Sequence, residues 1–279
     1  MLRLINLTKK YGNLTAVNAL NLEIEDGEFF GLLGPNGAGK TTTVRMISTL
    51  TPITSGDIII NNESMDRNLV AVKIKIGVVP QHNNLENEMT AWKNLEAHGM
   101  LYHMPKALRK QRITELLEFT ELAERKNDLV GKYSGGMKRK LMIARALMHN
   151  PEILLLDEPT VGLDASARRK MWDLLRSLKS RGLTVLLTTH YIEEAEVLCD
   201  RVGLINSGAL VELDTPRNLI DKVGKFAVEN FINGKTKEEF FETREKAVAY
   251  AAALEGSVNI RPSNLEDVFL KLTNRRVES

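Results

Sequence analysis

This sequence predicts an α/β fold in which a mainly parallel sheet is wrapped by helices, and three observations predict it. After residue 134, helical and strand-like segments alternate (SGGMKRKLMIARALMHN, EILLLDE, SARRKMWDLLRSLKSRG, TVLLTTH), the pattern that buries a sheet between helices. The runs Phe29 to Leu33, Ile153 to Leu156 and Thr184 to Thr189 are short and unbroken, as strands covered on both faces are. A glycine-rich segment directly follows the first run, at the carboxyl end of a strand, where open α/β sheets hold their ligands.

From Leu2 to Leu33 short β-like runs are separated by Gly and Asn turns, which predicts antiparallel strands leading into one buried strand. Thr41 to Leu50 has Val44, Ile47 and Leu50 at helical spacing, and TSGDIIIN returns to strand character. Between Asn83 and Lys132 strand signals vanish, and TAWKNLEAHGMLYHM and KALRKQRITELLEFTELAERK read as helices. They predict a helical subdomain, about 83–145, inserted in an α/β domain of residues 1–220. Near Asp221 the composition shifts to a small α+β appendage, 221–279, with a hairpin (FAVENFINGKTKEEFFE) and two helices (REKAVAYAAALEG and NLEDVFLKLTNRR).

A chain of 279 residues with 43% hydrophobic and 27% charged residues can bury one sizeable core with appendages. Its formal net charge of +2 offers no whole-molecule attraction to nucleic acid, which is not expected as a partner. The basic runs Lys138-Arg139-Lys140 and Arg168-Arg169-Lys170 fall in helical stretches and read as solvated faces. Cys199 is the only cysteine, so no intrachain disulfide forms. No apolar stretch approaches the roughly 20 residues that span a bilayer, and the start lacks the apolar run of a signal peptide. A cytoplasmic protein, peripheral to any membrane it serves, is the expectation.

Gly34-Pro35-Asn36-Gly37-Ala38-Gly39-Lys40-Thr41 matches GxxxxGK[ST] between a strand and a helix, the context that this phosphate-binding motif requires. Glycine backbones and a helix N-terminus, extending to Thr42, surround a polyphosphate with N–H groups. The core is therefore expected to be a P-loop NTPase (RecA-like) fold, with ATP and Mg²⁺ as its ligands. Lys40 reaches the β- and γ-phosphates, and the Thr41 hydroxyl ligates Mg²⁺.

Asp157 and Glu158 follow the strand Ile153 to Leu156, and His190 follows Thr184 to Thr189, so all three face the loop from strand ends. Asp157 is suited to the Mg²⁺ shell, Glu158 to polarising the attacking water, and neutral His190 to bonding that water or the γ-phosphate. Gln81, in VVPQHNN, brings an amide for Mg²⁺ or water, although alone it is an ordinary loop glutamine. Ser134-Gly135-Gly136 opens a helix; the plain reading is a cap, and the sharper one is a second anion site whose phosphate comes from another chain.

In this order, GPNGAGKT, Gln81, YSGGM, ILLLDE, Val161-Gly162-Leu163-Asp164 and His190 resemble the ABC ATPases, over Leu2 to Asp214. The resemblance implies that Ser134, Gly135 and Gly136 contact the γ-phosphate of ATP held by a partner's loop, and that Asp164 links the two sites. It further implies that Tyr11 stacks on adenine, that Glu158 is the general base and that His190 is the switch. From residue type alone, Tyr11 is ordinary strand-edge packing.

The family's usual signature reads LSGGQ, whereas here Tyr133 begins it and Met137 ends it. That variant and Pro262-Ser263-Asn264-Leu265-Glu266-Asp267-Val268-Phe269 are similar to exporters of the daunorubicin-resistance type. The resemblance implies a homodimer, or a heterodimer with a related ATPase, beneath separate transmembrane permease subunits that contact the helical insert. Met100, Leu101 and Tyr102 are candidates for that dock, though helix-spaced apolar residues are more often core. The alternative is a soluble ABC ATPase that remodels macromolecules; the long coiled-coil insert or second cassette of such proteins is absent from this sequence. A P-loop kinase fits poorly with SGG, the Asp-Glu pair and His190 together.

Overall fold

Alternation of side chains along the buried strands divides the interior into two layers, one on each face of the central sheet. Phe29 and Leu33 join one apolar cluster with Leu154, Leu156, Val185 and Leu187. Phe30 and Leu32, from the same strand, join the other with Ile153, Leu155 and Leu186. This is the period of two expected of a strand covered on both sides.

The computed structural model describes residues 1–65, 68–232 and 235–273. Its first part runs β1 (Leu2–Tyr11), β2 (Leu14–Ile24), β3 (Phe29–Leu33), α1 (Lys40–Ile47), β4 (Ser55–Ile60), β5 (Glu63–Ser64), α2 (Leu69–Lys73) and β6 (Ile76–Val79). Next come α3 (Ala91–Leu101), α4 (Lys106–Phe119), 3-10 turns at Ala123–Arg125 and Val130–Lys132, and α5 (Gly135–Ala146). The core then resumes with β7 (Ile153–Asp157), α6 (Ala165–Lys179), β8 (Thr184–Thr189), α7 (Ile192–Leu198), β9 (Arg201–Asn206), β10 (Ala209–Asp214) and α8 (Pro216–Val223). The C-terminal part holds β11 (Phe226–Ile232), β12 (Lys235–Phe241), α9 (Arg244–Ala252), β13 (Ser257–Pro262) and α10 (Leu265–Thr273).

Among the described residues three sheets form, in the orders β2-β1-β4-β5, β10-β9-β3-β8-β7-β6 and β12-β11-β13. The central one is parallel from β9 to β6, with β10 antiparallel at its edge. Parallel register brings the carboxyl ends of β3, β7 and β8 to one rim, which carries the loop after Leu33, Asp157 with Glu158, and His190. The chain is therefore the expected P-loop NTPase fold, with an antiparallel subdomain, a helical insert and a smaller C-terminal sheet. No helix among the described residues is long and apolar enough to cross a membrane.

Several elements differ from the sequence reading. Helix α1 ends at Ile47, so Leu50 lies beyond it, 69% exposed. The segment read as one helix through Lys126 stops at Phe119, because Glu121 adopts a left-handed backbone (φ 59°) that no helix continues. Tyr102 is not a free docking residue: its ring stacks on His149, 3.9 Å away and 9° from parallel, whereas Leu101 is 77% exposed. The hairpin read near residue 226 is β11 with β12, its tip falling outside the described residues, and it gains a third strand, β13. Helix α10 inserts Leu265, Val268 and Phe269 beside Leu219 of α8 in the main apolar cluster. Arg261 holds its Asp267 bidentately (2.7 and 2.8 Å), and Glu196 of α7 accepts from Leu265 N (2.8 Å).

His98 and Tyr102 of the insert form an aromatic group with His149, just beyond α5. Burial, then the nearby charges of Arg145 and His149, lower the His98 pKa from 6.5 to about 4, and its Nε2 has no hydrogen-bond partner. The folded chain thus resists protonating His98 while the unfolded chain takes up the proton below about 6.5. Stability is fully present above that pH and declines as pH falls toward about 4, by at most about 3 kcal/mol from this group. His98→Phe is expected to flatten this limb of the urea-midpoint profile between pH 6.5 and 4.

Candidate active site

The loop from Gly34 to Gly39 is anchored at its two ends by contacts that leave no room for a side chain. A Cβ on Gly34 would lie 2.2 Å from the Ile205 carbonyl oxygen, and one on Gly39 (φ 108°) 2.6 Å from that of Ala16. Gly37 (φ 80°) faces open space, and Pro35 and Asn36 flank it on the accessible side while Ala38 is buried. Backbone bonds from Ala38 N to Pro35 O (3.2 Å) and from Gly208 N to Ala38 O (2.9 Å) fasten the turn. Gly39 is the N-cap of α1 and has no side chain to offer, so the first-turn N–H groups of Lys40, Thr41 and Thr42 lack the usual internal acceptor. An anion is the group that this cradle fits.

Lys40 is buried; its Nζ donates to Gly34 O (2.7 Å) and Pro35 O (3.1 Å) and lies 3.6 Å from Glu158 Oε1. Burial lowers its pKa, opposed by the carboxylates of Glu158 and Asp157. The Thr41 hydroxyl donates to Asp157 Oδ1 (3.1 Å), and Thr188 Oγ1 donates to the same oxygen (2.6 Å). Burial raises the Asp157 pKa, and a dication between this carboxylate and Thr41 would hold it ionised. The donor set of hydroxyl, carboxylate and amide oxygens suits Mg²⁺.

Glu158 is held on all sides. Its Oε2 accepts from Gln81 Nε2 (2.9 Å), and its Oε1 lies 3.1 Å from His190 Nδ1. Its N–H donates to Thr188 O (3.0 Å). The backbone at Glu158 is left-handed (φ 49°), a conformation that costs a non-glycine residue about 1–2 kcal/mol and persists only where the surroundings over-determine it. Lys40, Gln81, Asp157, Glu158 and His190, expected together from the sequence, thus form one connected group.

The remaining expected site residues lie elsewhere. Ser134 is the N-cap of α5 and Asp164 that of α6, with Oγ accepting from Met137 N (3.3 Å) and Oδ1 from Ala167 N (2.8 Å). Ser134, Gly136 and Asp164 line one open depression whose walls include none of residues 34–42. Ser134 and Gly135 are exposed, and the Ser134 hydroxyl keeps its own proton to donate. Met137 packs against the apolar cluster, and Tyr133 is buried with its OH donating to Arg125 O (2.7 Å), which accounts for both unusual signature residues by packing. Tyr11 is 46% exposed, pairs with Leu14 in the hairpin whose Ala16 faces Gly39, and has Lys9 Nζ 4.8 Å from its ring centre.

Two residues of this region escaped the sequence reading. Thr188 was seen only as part of a strand; its hydroxyl meets Asp157 because the two are register partners on β8 and β7. The run Lys138-Arg139-Lys140 is not a solvated face: Arg139 is 6% exposed, whereas Lys140 pairs with Glu121. Arg168 is likewise held, its guanidinium 4.4 Å above the ring of Tyr191 beside His190. The available signal for Arg139 was its helical spacing from the apolar Met142 and Ala146 on the buried face of α5.

Comparison with known proteins agrees with this geometry. Residues 17–161 match the family model described as ABC transporter. The chain is 40% identical to Nod factor export ATP-binding protein I of Cupriavidus metallidurans, over 99% of this chain and 98% of that protein. It is 43% identical to the linearmycin resistance ATP-binding protein LnrL of Bacillus subtilis, over 80% of this chain and 72% of the relative. Among solved structures, the ATP-binding cassette MJ0796, dimeric in a post-hydrolysis state bound to ADP and Pi, superposes with a TM-score of 0.69 at 33% identity, covering 77% of this chain and 98% of that one.

Proposed function

We propose, since this chain belongs to the ABC transporter family and is an ATP-binding and ATP-hydrolysing subunit of such a transporter, that two copies close around two ATP molecules and thereby drive an export permease made as separate chains. What carries this reading is that the chain has one complete phosphate cradle at Lys40 and, on a different surface, a second helix N-terminus opened by Ser134. Each nucleotide is gripped by Lys40 of one copy and Ser134, Gly135 and Gly136 of the other, and Asp164 joins the two sites. Export rather than import is supported by the relatives, which are export and resistance proteins. A partner of closely related sequence in place of the second copy would use the same contacts.

Within each site Glu158 accepts the proton of the attacking water, while Gln81 and His190 aim its carboxylate. Lys40 and the first-turn N–H groups of α1 stabilise charge on the transferring phosphoryl group. Thr41, Asp157 and Gln81 would hold Mg²⁺, which would supply positive charge to the phosphate oxygens. Tyr11 stacks on adenine from the exposed end of β1.

We assign the chain to the cytoplasmic face of the cell membrane, with the permease meeting the insert near Met100 and Leu101, both exposed. We divide it into an ATPase domain, 1–220, and a small C-terminal domain, 221–279; the sheet β12-β11-β13 supports the division, although α8 runs across the boundary. Sedimentation of Glu158→Gln saturated with Mg·ATP is expected to show a dimer, and adding Ser134→Asp, which sets a carboxylate against the γ-phosphate, a monomer that still binds ATP. A Glu158→Gln chain that stayed monomeric with Mg·ATP and joined no membrane assembly would refute the proposal.

A further inference from the structure

Arg139 lies on α5, little more than one turn from Ser134, with its guanidinium directed into the interior. Nη1 donates to Pro80 O (2.6 Å), and Nη2 donates to Gln81 O (3.0 Å) and Glu158 O (3.2 Å). Among the described residues it forms no ion pair. Its charge is spent on three backbone carbonyls from two segments, a task that suits a planar fork of five donors and that a lysine would fill only in part.

These carbonyls are well chosen. Pro80 and Gln81 form the segment between β6 and the helical insert, and the Gln81 side chain donates to the Glu158 carboxylate (2.9 Å). Glu158 carries the left-handed backbone, and its carbonyl needs a partner to keep that orientation. Arg139 thus closes a ring of contacts: α5 to the Gln81 backbone, the Gln81 side chain to the Glu158 carboxylate, and the Glu158 carbonyl back to α5. Asp157, Glu194 and Glu158, whose negative charges favour the charged guanidinium, compensate part of the cost of burying it.

We propose that Arg139 is a positioning residue that locks the helix beginning at Ser134, the Gln81 segment and the strained backbone of Glu158 into one frame, so that engagement of a partner's ATP at Ser134 sets the aim of the Glu158 carboxylate. The inference rests on the ATPase reading above and adds a residue to it. It distinguishes binding from chemistry: ATP still enters the Lys40 cradle without Arg139, but the base is misaimed, and small misplacements of a catalytic group cost about a hundredfold.

The test compares wild type, Arg139→Gln and Arg139→Lys in the full chain, measuring ATP affinity, kcat, melting temperature and, with Glu158→Gln added, ATP-dependent dimerisation. Arg139→Gln is expected to lower kcat between about tenfold and a hundredfold with ATP affinity within about twofold, Arg139→Lys to recover part of the rate, and the double variant to dimerise with Mg·ATP as Glu158→Gln does. An Arg139→Gln chain with wild-type kcat overturns the inference. So does a loss of kcat, ATP affinity and melting temperature in parallel in both variants, which marks a merely structural role. A wild-type chain that binds no ATP would remove the functional reading as well, whereas normal wild-type turnover beside an unaffected Arg139→Gln removes this inference alone.

Discussion

Glu158→Gln is expected to lower steady-state phosphate release by about a thousandfold while ATP affinity stays near that of wild type. The substitution keeps the size of the side chain and one oxygen for the Gln81 amide (2.9 Å), so the site remains built. It removes the charge that lies 3.6 Å from Lys40 and, with it, the capacity to accept a proton from water, which an amide lacks. General-base contributions span about 10²–10⁴, and the ring of contacts around this carboxylate argues for the middle of that range or above. Lys40 keeps its bonds to Gly34 O and Pro35 O, which is why nucleotide affinity holds. Rapid turnover by this variant would show that another group activates the water.

Gly39→Ala is expected to weaken ATP binding by about a hundredfold or more with the fold retained. The added methyl would come within 2.6 Å of the Ala16 carbonyl and 3.3 Å of Val17 Cγ2, at a backbone angle (φ 108°) that L-residues avoid. Since the obstacle is the backbone of β2, the loop itself must move, and it carries Lys40 and the first-turn donors of α1 with it. Losing one or two charge-assisted hydrogen bonds to phosphate, each worth about 1.5–3 kcal/mol, is enough for a loss of this size. Gly37→Ala is the control: its methyl would meet nothing within 4 Å, so only backbone strain (φ 80°) remains and the loss should be several-fold smaller. Competition binding with a fluorescent nucleotide separates the two, and equal affinities for Gly39→Ala and wild type would mean that the loop adapts.

Most of the rim was legible in the sequence because its residues sit at ends of buried strands, and an apolar run announces where such a strand stops. Asp157, Glu158 and His190 were found that way, and the phosphate loop by its glycines. Thr188 was not, since its role depends on which residue of β7 lies opposite, a fact of register that no local pattern contains. Arg139 was hidden inside a basic run, whose usual meaning is solvent; only the fold supplies the three carbonyls that make burial tolerable. β13 was missed for a third reason, the weak apolar signal of a strand that is largely exposed (SVNIRP).

Phe29 and Phe269 share one apolar cluster, and among the described residues all its other buried members lie between them in the chain. During translation, therefore, the seat that receives α10, on α7 and α8, is made before its occupant and stays wet until the ribosome has delivered the chain past Phe269. A nascent chain paused before that point displays an oily notch beside Leu219, the kind of transient surface that invites chaperones.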